Sequence, residues 1–283
     1  MQFHMPKAEL YIPDGTPEAE ALARTTHLGI GAHQDDLEIM SYHGILAGFG
    51  QSDVWYGGVV VTNGAGNPRA GLYGDYTDEQ MQYVRRLEQR KAAHMGEYSF
   101  QAQLDFPSAI VKSPTETQVI EDLQAIINAT SPRVMYVHNL ADKHDTHVAS
   151  ALRTIAALRE LPAEQRPEQL LGCEVWRDLD WVVDEEKVAL DVSEHENLAQ
   201  SLVGVFDSSV AGGKRYDLAT MGRRRAHATY FESHGVDITT GLNFAMDLTP
   251  LIQEETLAPF DYVAERIARF QAEVQARIEK LTE

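Results

Sequence analysis

The chain has 283 residues, 43 of them acidic and 24 basic, for a formal net charge of −19 at pH 7. That balance argues against nucleic acid or an anionic membrane surface as a partner. At this length, with 43% hydrophobic and 24% charged residues, the chain can bury a sizeable core as an ordinary globular protein.

In chain order, an apolar strand is expected over about residues 27–32, then a helix from Leu37 to Gly48 and a strand from Val54 to Val61. A loop rich in Gly and Asn runs from Thr62 to Tyr76. Thr77-Asp78-Glu79-Gln80 reads as a capping box opening a long helix to about Tyr98. Ser113-Pro114-Thr115-Glu116 reads as a second box, with proline at the first helical position, opening a helix to Ala129. A strand at Val134–Val137 and a helix from His147 to Leu158 follow. This alternation predicts an α/β fold: a Rossmann-like, mostly parallel sheet with helices on both faces.

The proline-bearing segment Leu161–Pro167 is the clearest break. Beyond it, strands are expected at residues 172–176 and 187–192 and helices at about 195–206 and 216–234. From Asp261 to Leu281, the residues Val263, Ile267, Phe270, Val274, Ile278 and Leu281 form one apolar stripe. The stripe is expected to bury against its own domain rather than a partner. The whole chain, 1–283, is read as a single domain, with a core at about 26–160 and a C-terminal part at about 168–283. Arg223-Arg224-Arg225 reads as a solvated helix face. Cys173 is alone, so neither a disulfide framework nor a thiolate metal cluster is expected. The N-terminus lacks a secretory pattern and no apolar run approaches membrane-spanning length, which makes cytoplasm the expected location.

The chemistry concentrates at two strand ends. Gly31-Ala32-His33-Gln34-Asp35-Asp36 leaves the first strand and carries an imidazole and two adjacent carboxylates. The strand at Val134–Val137 empties into His138-Asn139-Leu140-Ala141-Asp142-Lys143-His144-Asp145-Thr146-His147. In an open parallel sheet such loops share the carboxyl edge, where ligands bind. His33, Asp36 and His147 would give two imidazoles and a carboxylate, a set that suits a catalytic zinc with an open position for water. Asp35 would then be free to act as a base. Each half alone has a plainer reading: Asp36 as a helix cap, and the His-x-x-His as two surface histidines.

Together, AHQDD and HNLADKHDTH resemble the zinc-dependent N-acetylglucosaminyl deacetylases of the PIG-L or LmbE-like family. The family's usual pattern is Ala-His-Pro-Asp-Asp early and His-x-Asp-His later. The segment Val61-Thr62-Asn63-Gly64 is part of the resemblance. So is the helix Arg86–Ala93, which is similar to the family's Arg-x-x-Glu-x-x-x-Ala-Ala helix. The match covers roughly the first half of the chain and is looser beyond about residue 170. It implies zinc ligands His33, Asp36 and His147, Asp35 as general base, and His144 as the group that polarises the acyl oxygen or protonates the leaving amine. It also implies removal of an acetyl group from an N-acetylglucosamine-type sugar or conjugate by metal-assisted amide hydrolysis. One zinc per chain is expected, although two His and one Asp also suit iron or cobalt. Two departures stand out. Gln34 replaces the usual proline, and Thr146 replaces the Asp that normally follows the first histidine by two, with Asp145 one place earlier. Asp145 or Asp142 would then have to orient His144.

Arg69, on the glycine-rich loop, and Trp176 with Arg177 are candidate substrate contacts, since a planar guanidinium suits hydroxyl and carboxylate partners and an indole can stack on a sugar ring. His43, His94 and His138 are given core or surface roles. The partner expected is a small N-acetyl sugar or glycoconjugate, with homo-oligomerisation left open. Two rivals remain. A non-catalytic carbohydrate-binding protein could keep the fold. Gly29-Ile30-Gly31-Ala32-His33-Gln34 is a partial dinucleotide fingerprint with Asp53 downstream, but its third glycine is Gln34 and its turn carries two carboxylates.

Overall fold

The computed structural model describes residues 1–282. Its strands are β1 (Glu9–Tyr11), β2 (His27–Gly31), β3 (Tyr56–Thr62), β4 (Phe100–Phe106), β5 (Val134–His138), β6 (Gln169–Cys173), β7 (Lys187–Asp191) and β8 (Leu242–Asp247). They form one sheet in the order β1-β4-β3-β2-β5-β6-β8-β7. The five central strands, β4 through β6, run parallel, while β1, β8 and β7 pair antiparallel at the edges. The helices are α1 (Glu18–Ala23), α2 (Asp36–Met40), α3 (Tyr42–Gly48), α4 (Asp78–Met95), α5 (Ser108–Lys112) and α6 (Gln118–Thr130). They continue with α7 (Asp145–Arg159), α8 (Glu196–Gly204), α9 (Asp207–Val210), α10 (Tyr216–Tyr230), α11 (Thr249–Gln253) and α12 (Pro259–Thr282). No helix among the described residues is long and apolar enough to cross a membrane.

The alternation of side chains along each strand divides the core in two. Leu28, Ile30, Val59, Val61, Met135 and Val137 face one cluster, completed by α6 and α7. Tyr56, Val60, Tyr136, Leu171 and Cys173 face the other, completed by α2, α3, α4 and α8. Helices therefore cover both faces, and the central strands are apolar on both sides, as parallel strands in such a sandwich must be.

Strand β4 is absent from the sequence reading although Phe100, Ala102, Leu104 and Phe106 alternate with Gln101, Gln103 and Asp105, and every residue is buried. Its polar side joins a buried hydrogen-bonded layer instead of meeting solvent. Gln89 Nε2 donates to Gln101 Oε1 (3.3 Å) and Gln34 Nε2 to Gln103 Oε1 (3.2 Å). Strands β1 and β8 were also unassigned, and β6 begins at Gln169 and ends at Cys173, earlier than expected.

The capping box at Thr77 forms with both of its bonds, and α4 starts there. The second box does not form. Thr117 caps α6 without a side-chain bond, while the Ser113 carbonyl accepts from Arg153 Nη2 at 2.9 Å. The helix expected from Leu37 to Gly48 breaks at Ser41, whose hydroxyl bonds the Leu37 carbonyl (2.7 Å) and the Tyr56 hydroxyl (2.6 Å). Arg224 is no solvated residue: it is buried, donates to the Glu38 and Ile39 carbonyls and to Asn243 Oδ1, and lies 4.7 Å from the Tyr42 ring.

The expected burial of the C-terminal stripe holds only for the first turn of α12. Tyr262 is buried and its hydroxyl donates to the Asp247 carbonyl, and Val263 packs on the core. From there the stripe is open: Ile267 is 51% exposed, Ile278 57% and Leu281 78%. The i,i+4 pairs Glu265–Arg269 and Glu273–Arg277 support the outer turns locally. A chain ending after Arg266 should therefore keep its melting temperature within about 3 °C of the full chain, whereas one ending before Tyr262 should melt clearly lower. Scanning calorimetry checks both, and unfolding of the longer form would show that the outer turns are part of the core.

Candidate metal centre and active-site cleft

After β2 the chain builds one side of the sheet through β3 and β4, then returns to the other side with β5. The carboxyl ends of β2 and β5 thus flank a topological switch point, where an open α/β sheet leaves a crevice. The exit turn of β2 is tightly determined. Asp35 adopts φ +86°, a left-handed conformation unusual for a non-glycine residue. Three bonds hold the turn: His33 N–H donates to Asp36 Oδ2 (2.6 Å), Asp35 N–H to Gln89 Oε1 (3.4 Å), and Arg85 Nη2 to the Gln34 carbonyl (2.5 Å). Gly64, with φ +74°, lies against this turn, and a Cβ there would fall 2.4 Å from Gln34 Oε1.

His33, Asp36 and His147 come together. His33 Nδ1 lies 3.3 Å from Asp36 Oδ2 and 3.2 Å from His147 Nε2, and His147 Nε2 lies 3.5 Å from Asp36 Oδ1. A tetrahedral ion with ligand bonds of about 2.0–2.1 Å has ligand–ligand edges of about 3.3–3.4 Å. These separations are of the size one small divalent cation spans, with Asp36 Oδ2 facing His33 and Oδ1 facing His147. The surrounding cluster forms two overlapping triads, His33–His144–His147 and Asp36–His138–His147, with donor atoms within 4.8 Å of one another. Burial holds the His147 pKa down to about 3, so its imidazole is neutral and has a free lone pair to offer. Burial opposes ionisation of Asp36, but the cluster of histidines around it and their hydrogen bonds outweigh burial and keep the carboxyl well below the usual range.

His138 is core, as expected, and it also walls the cluster. Its Nε2 accepts from the Ala32 N–H (2.9 Å), and its ring stacks on His147 at 3.9 Å. That Nε2 lone pair is engaged by the backbone, while the buried His138 Nδ1 has no partner. The signal that could have marked it is its place as the last residue of β5, directly beside the β2 exit. Asp142 lies behind His147, with Oδ2 3.6 Å from Nδ1, beyond a hydrogen bond but on the outer side where a carboxylate steers a ligating imidazole.

His144, at the N-terminus of α7, has its ring 4.5 Å from that of His147 and 5.0 Å from that of His33. Burial and the neighbouring His33 lower its pKa. Asp142 Oδ1 accepts the His144 backbone N–H (2.9 Å), while the His144 Nδ1 has no partner. Among the described residues no carboxylate orients the His144 ring. Asp145 is exposed and Thr146 is buried in the cleft wall.

Asp35 is buried beside the cluster. Its Oδ2 accepts from Ser209 Oγ (2.6 Å) and lies 3.5 Å from Arg85 Nη2, and Arg85 Nη1 donates to Ser209 Oγ (2.5 Å). Burial raises the Asp35 pKa, and the Arg85 charge opposes that rise. Arg85 lies one residue before the Arg86–Ala93 segment that carries the family resemblance. Arg86 turns instead to Asp105 (2.8 Å). Arg85, Glu88, Gln89 and Ala92 share the buried face of α4 at i, i+3, i+4 and i+7, but three of the four are polar and form no apolar stripe to read. Ser209, on α9, carries no pattern either.

The cleft above these groups has a volume of about 360 Å³ and is lined in part by Trp176, Tyr216, Thr146 and Ile39. Trp176 stacks towards His144 at 6.4 Å. Neither Arg69 nor Arg177 lines it. The Arg69 guanidinium is spent on the Tyr76 and Ala65 carbonyls and on Asp78, stapling its own loop. His43 bonds the Tyr136 hydroxyl at 2.9 Å, and His94 is exposed. The turn that a dinucleotide pyrophosphate would need is filled by Asp35 and Asp36, and Asp53 is exposed in the turn before β3.

Residues 28–158 match the PIG-L family, described as GlcNAc-PI de-N-acetylase. No curated protein matches the chain. Among solved structures, the 4-carboxy-2-hydroxymuconate hydratase GalB of Pseudomonas putida KT2440 is 15% identical over 79% of this chain and 95% of its own, with a TM-score of 0.59. The N,N'-diacetylchitobiose deacetylase of Pyrococcus horikoshii is 15% identical over 78% and 84%, with a TM-score of 0.57. The A40926 pseudoaglycone deacetylase Dbv21 is 16% identical over 79% and 97%, also with a TM-score of 0.57. At these identities the likeness is one of fold.

If the three converging side chains hold a cation, zinc-loaded and desalted protein should retain about one ion per chain. His147→Ala should retain almost none and His43→Ala the full amount. Elemental analysis reads both, and undiminished zinc in His147→Ala would remove it from the ligand set.

Proposed function

We propose that this chain, whose residues 28–158 match the PIG-L family, is a metal-dependent N-deacetylase acting on an N-acetylglucosamine-type sugar or sugar conjugate. The observation that carries the reading is the convergence of His33, Asp36 and His147 to within 3.5 Å of one another, next to an Asp35 that stays outside that set. His33, Asp36 and His147 are assigned as ligands of one zinc per chain, a set that iron or cobalt also suits. A cation bound there would act as a Lewis acid and lower the pKa of water to about 7.

The remaining steps belong to the chain's own groups. Ser209 and Arg85 both address Asp35 Oδ2, which leaves Oδ1 as the acceptor for a proton from the attacking water. The water oxygen bonds to the acetamide carbon. His144, on the cleft wall, is assigned to donate to the developing oxyanion, a contribution typically worth about 10²–10³ in rate. The C–N bond then breaks, the proton held at Asp35 passes to the amine nitrogen, and acetic acid leaves, giving its remaining proton to solvent as acetate. Trp176 is assigned to the sugar ring. Arg69, spent on its own loop, and Arg177, exposed and outside the cleft lining, are not assigned to substrate. The chain is treated as one domain, since Ser209, from its C-terminal part, bonds the base contributed by its core.

Asp35→Asn preserves shape but cannot take the proton. It should lose about 10²–10⁴ in kcat while zinc content and melting temperature stay near wild type, as read by release of free amine from N-acetylglucosamine conjugates. Full activity in Asp35→Asn would remove this mechanism.

A further inference from the structure

Only seven lysines occur in the chain, yet two of them, Lys112 and Lys214, line the same cleft. Lys112 ends α5 and Lys214 lies in the turn between α9 and α10. The lysine ion pairs among the described residues are those of Lys187 alone, so neither cleft ammonium is neutralised. Lys214 Nζ sits 5.2 Å from the centre of the Trp176 ring, which itself faces His144.

Both lysines are displayed from fixed backbone. Arg153 clamps the carbonyls on either side of Lys112, donating to Val111 (3.2 Å) and Ser113 (2.9 Å). The Lys214 N–H donates to the Ser209 carbonyl at 2.9 Å. The turn before it is held by Gly212, where a Cβ would fall 1.8 Å from the Ser208 carbonyl oxygen, and by Gly213 at φ +136°. The carboxylates lining the cleft are Asp35 and Asp36 alone, and both are matched by the donors described above. The net charge of −19 does not cancel this local field. At physiological ionic strength the screening length is about 8 Å, so distant surface acids are muted while a bound ligand meets the cleft ammoniums directly.

We propose that Lys112 and Lys214 form an anion-recognition subsite, so that the preferred substrate is an N-acetyl amino sugar bearing a phosphate or carboxylate group. This deepens, and rests on, the deacetylase reading. The two lysines act on substrate choice and take no part in the bond-breaking step.

The test uses zinc-loaded Asp35→Asn protein to prevent turnover, titrated calorimetrically with N-acetylglucosamine, its 1-phosphate, its 6-phosphate and N-acetylmuramic acid. At least one anionic sugar should bind at least about tenfold more tightly than the neutral one, and the pattern across the arms tells phosphate from carboxylate. Adding Lys112→Ala and Lys214→Ala together should abolish that preference, Lys→Arg at both should keep most of it, and Lys91→Ala, on the exposed side of α4, should not change it. Raising salt should shrink it. Equal binding of neutral and anionic sugars, no binding of any anionic sugar, or a preference that survives the double alanine change would each overturn the proposal. Amine release by the Asp35-containing protein separates the two readings: an intact anion preference without hydrolysis of any N-acetyl sugar counts against the deacetylase and leaves the subsite standing.

Discussion

The structure turns on one buried carboxylate. Asp36 sits at the switch point of the sheet with its oxygens 3.3–3.5 Å from nitrogens of His33, His138 and His147. An ionised group in such a place is costly unless matched. Its partners are imidazoles at least one of which, His147, burial keeps neutral, together with one short bond from the His33 N–H. A cation bound between Asp36, His33 and the neutral His147 ring would add a full positive charge to those contacts. The rest of the site follows from holding that cluster in place: the strained turn at Asp35, the stacking of His138 on His147, and Asp142 behind the His147 ring.

That arrangement is held from outside the family-matched segment as well as from within it. Ser208 donates to Glu88 through both its N–H and its hydroxyl (2.8 and 2.5 Å), and Ser209 bridges Arg85 and Asp35. Helix α9 is only four residues long, yet it docks on α4 and closes the Asp35 side of the cleft. Behind it, Gln34, Gln89, Gln101 and Gln103 make a buried polar layer between α4 and β4. Such layers are stable only when their members are satisfied, and here the amides bond to one another, to Glu38 and to the backbone.

Much of this was legible in the sequence, for identifiable reasons. Strands β2, β3 and β5 are near-continuous apolar runs, and the Thr77 box carries a local signal that survives into the fold. Both metal-capable loops follow from their position after such strands. The candidate ligands His33, Asp36 and His147 do meet. What escaped notice depends on tertiary pairing. Strand β4 hides its polar alternation in a buried layer, so it does not read as a half-exposed strand. Ser209 is a serine in a short helix, with no pattern to distinguish it until it meets Arg85. Arg224 lies between two other arginines, and only the packing of α10 on β8 selects it for the interior. The α12 stripe shows the converse: its periodicity is real, but periodicity cannot say whether a surface exists to cover it.

The central claim is that one cation is held by His33, Asp36 and His147. X-ray absorption at the zinc edge of the zinc-loaded full chain tests it most directly. The account predicts a shell of nitrogen and oxygen donors at about 2.0–2.1 Å containing two imidazoles and no sulfur. A shell with three or four imidazoles, drawing in His138 or His144, or one with no imidazole at all, would contradict it.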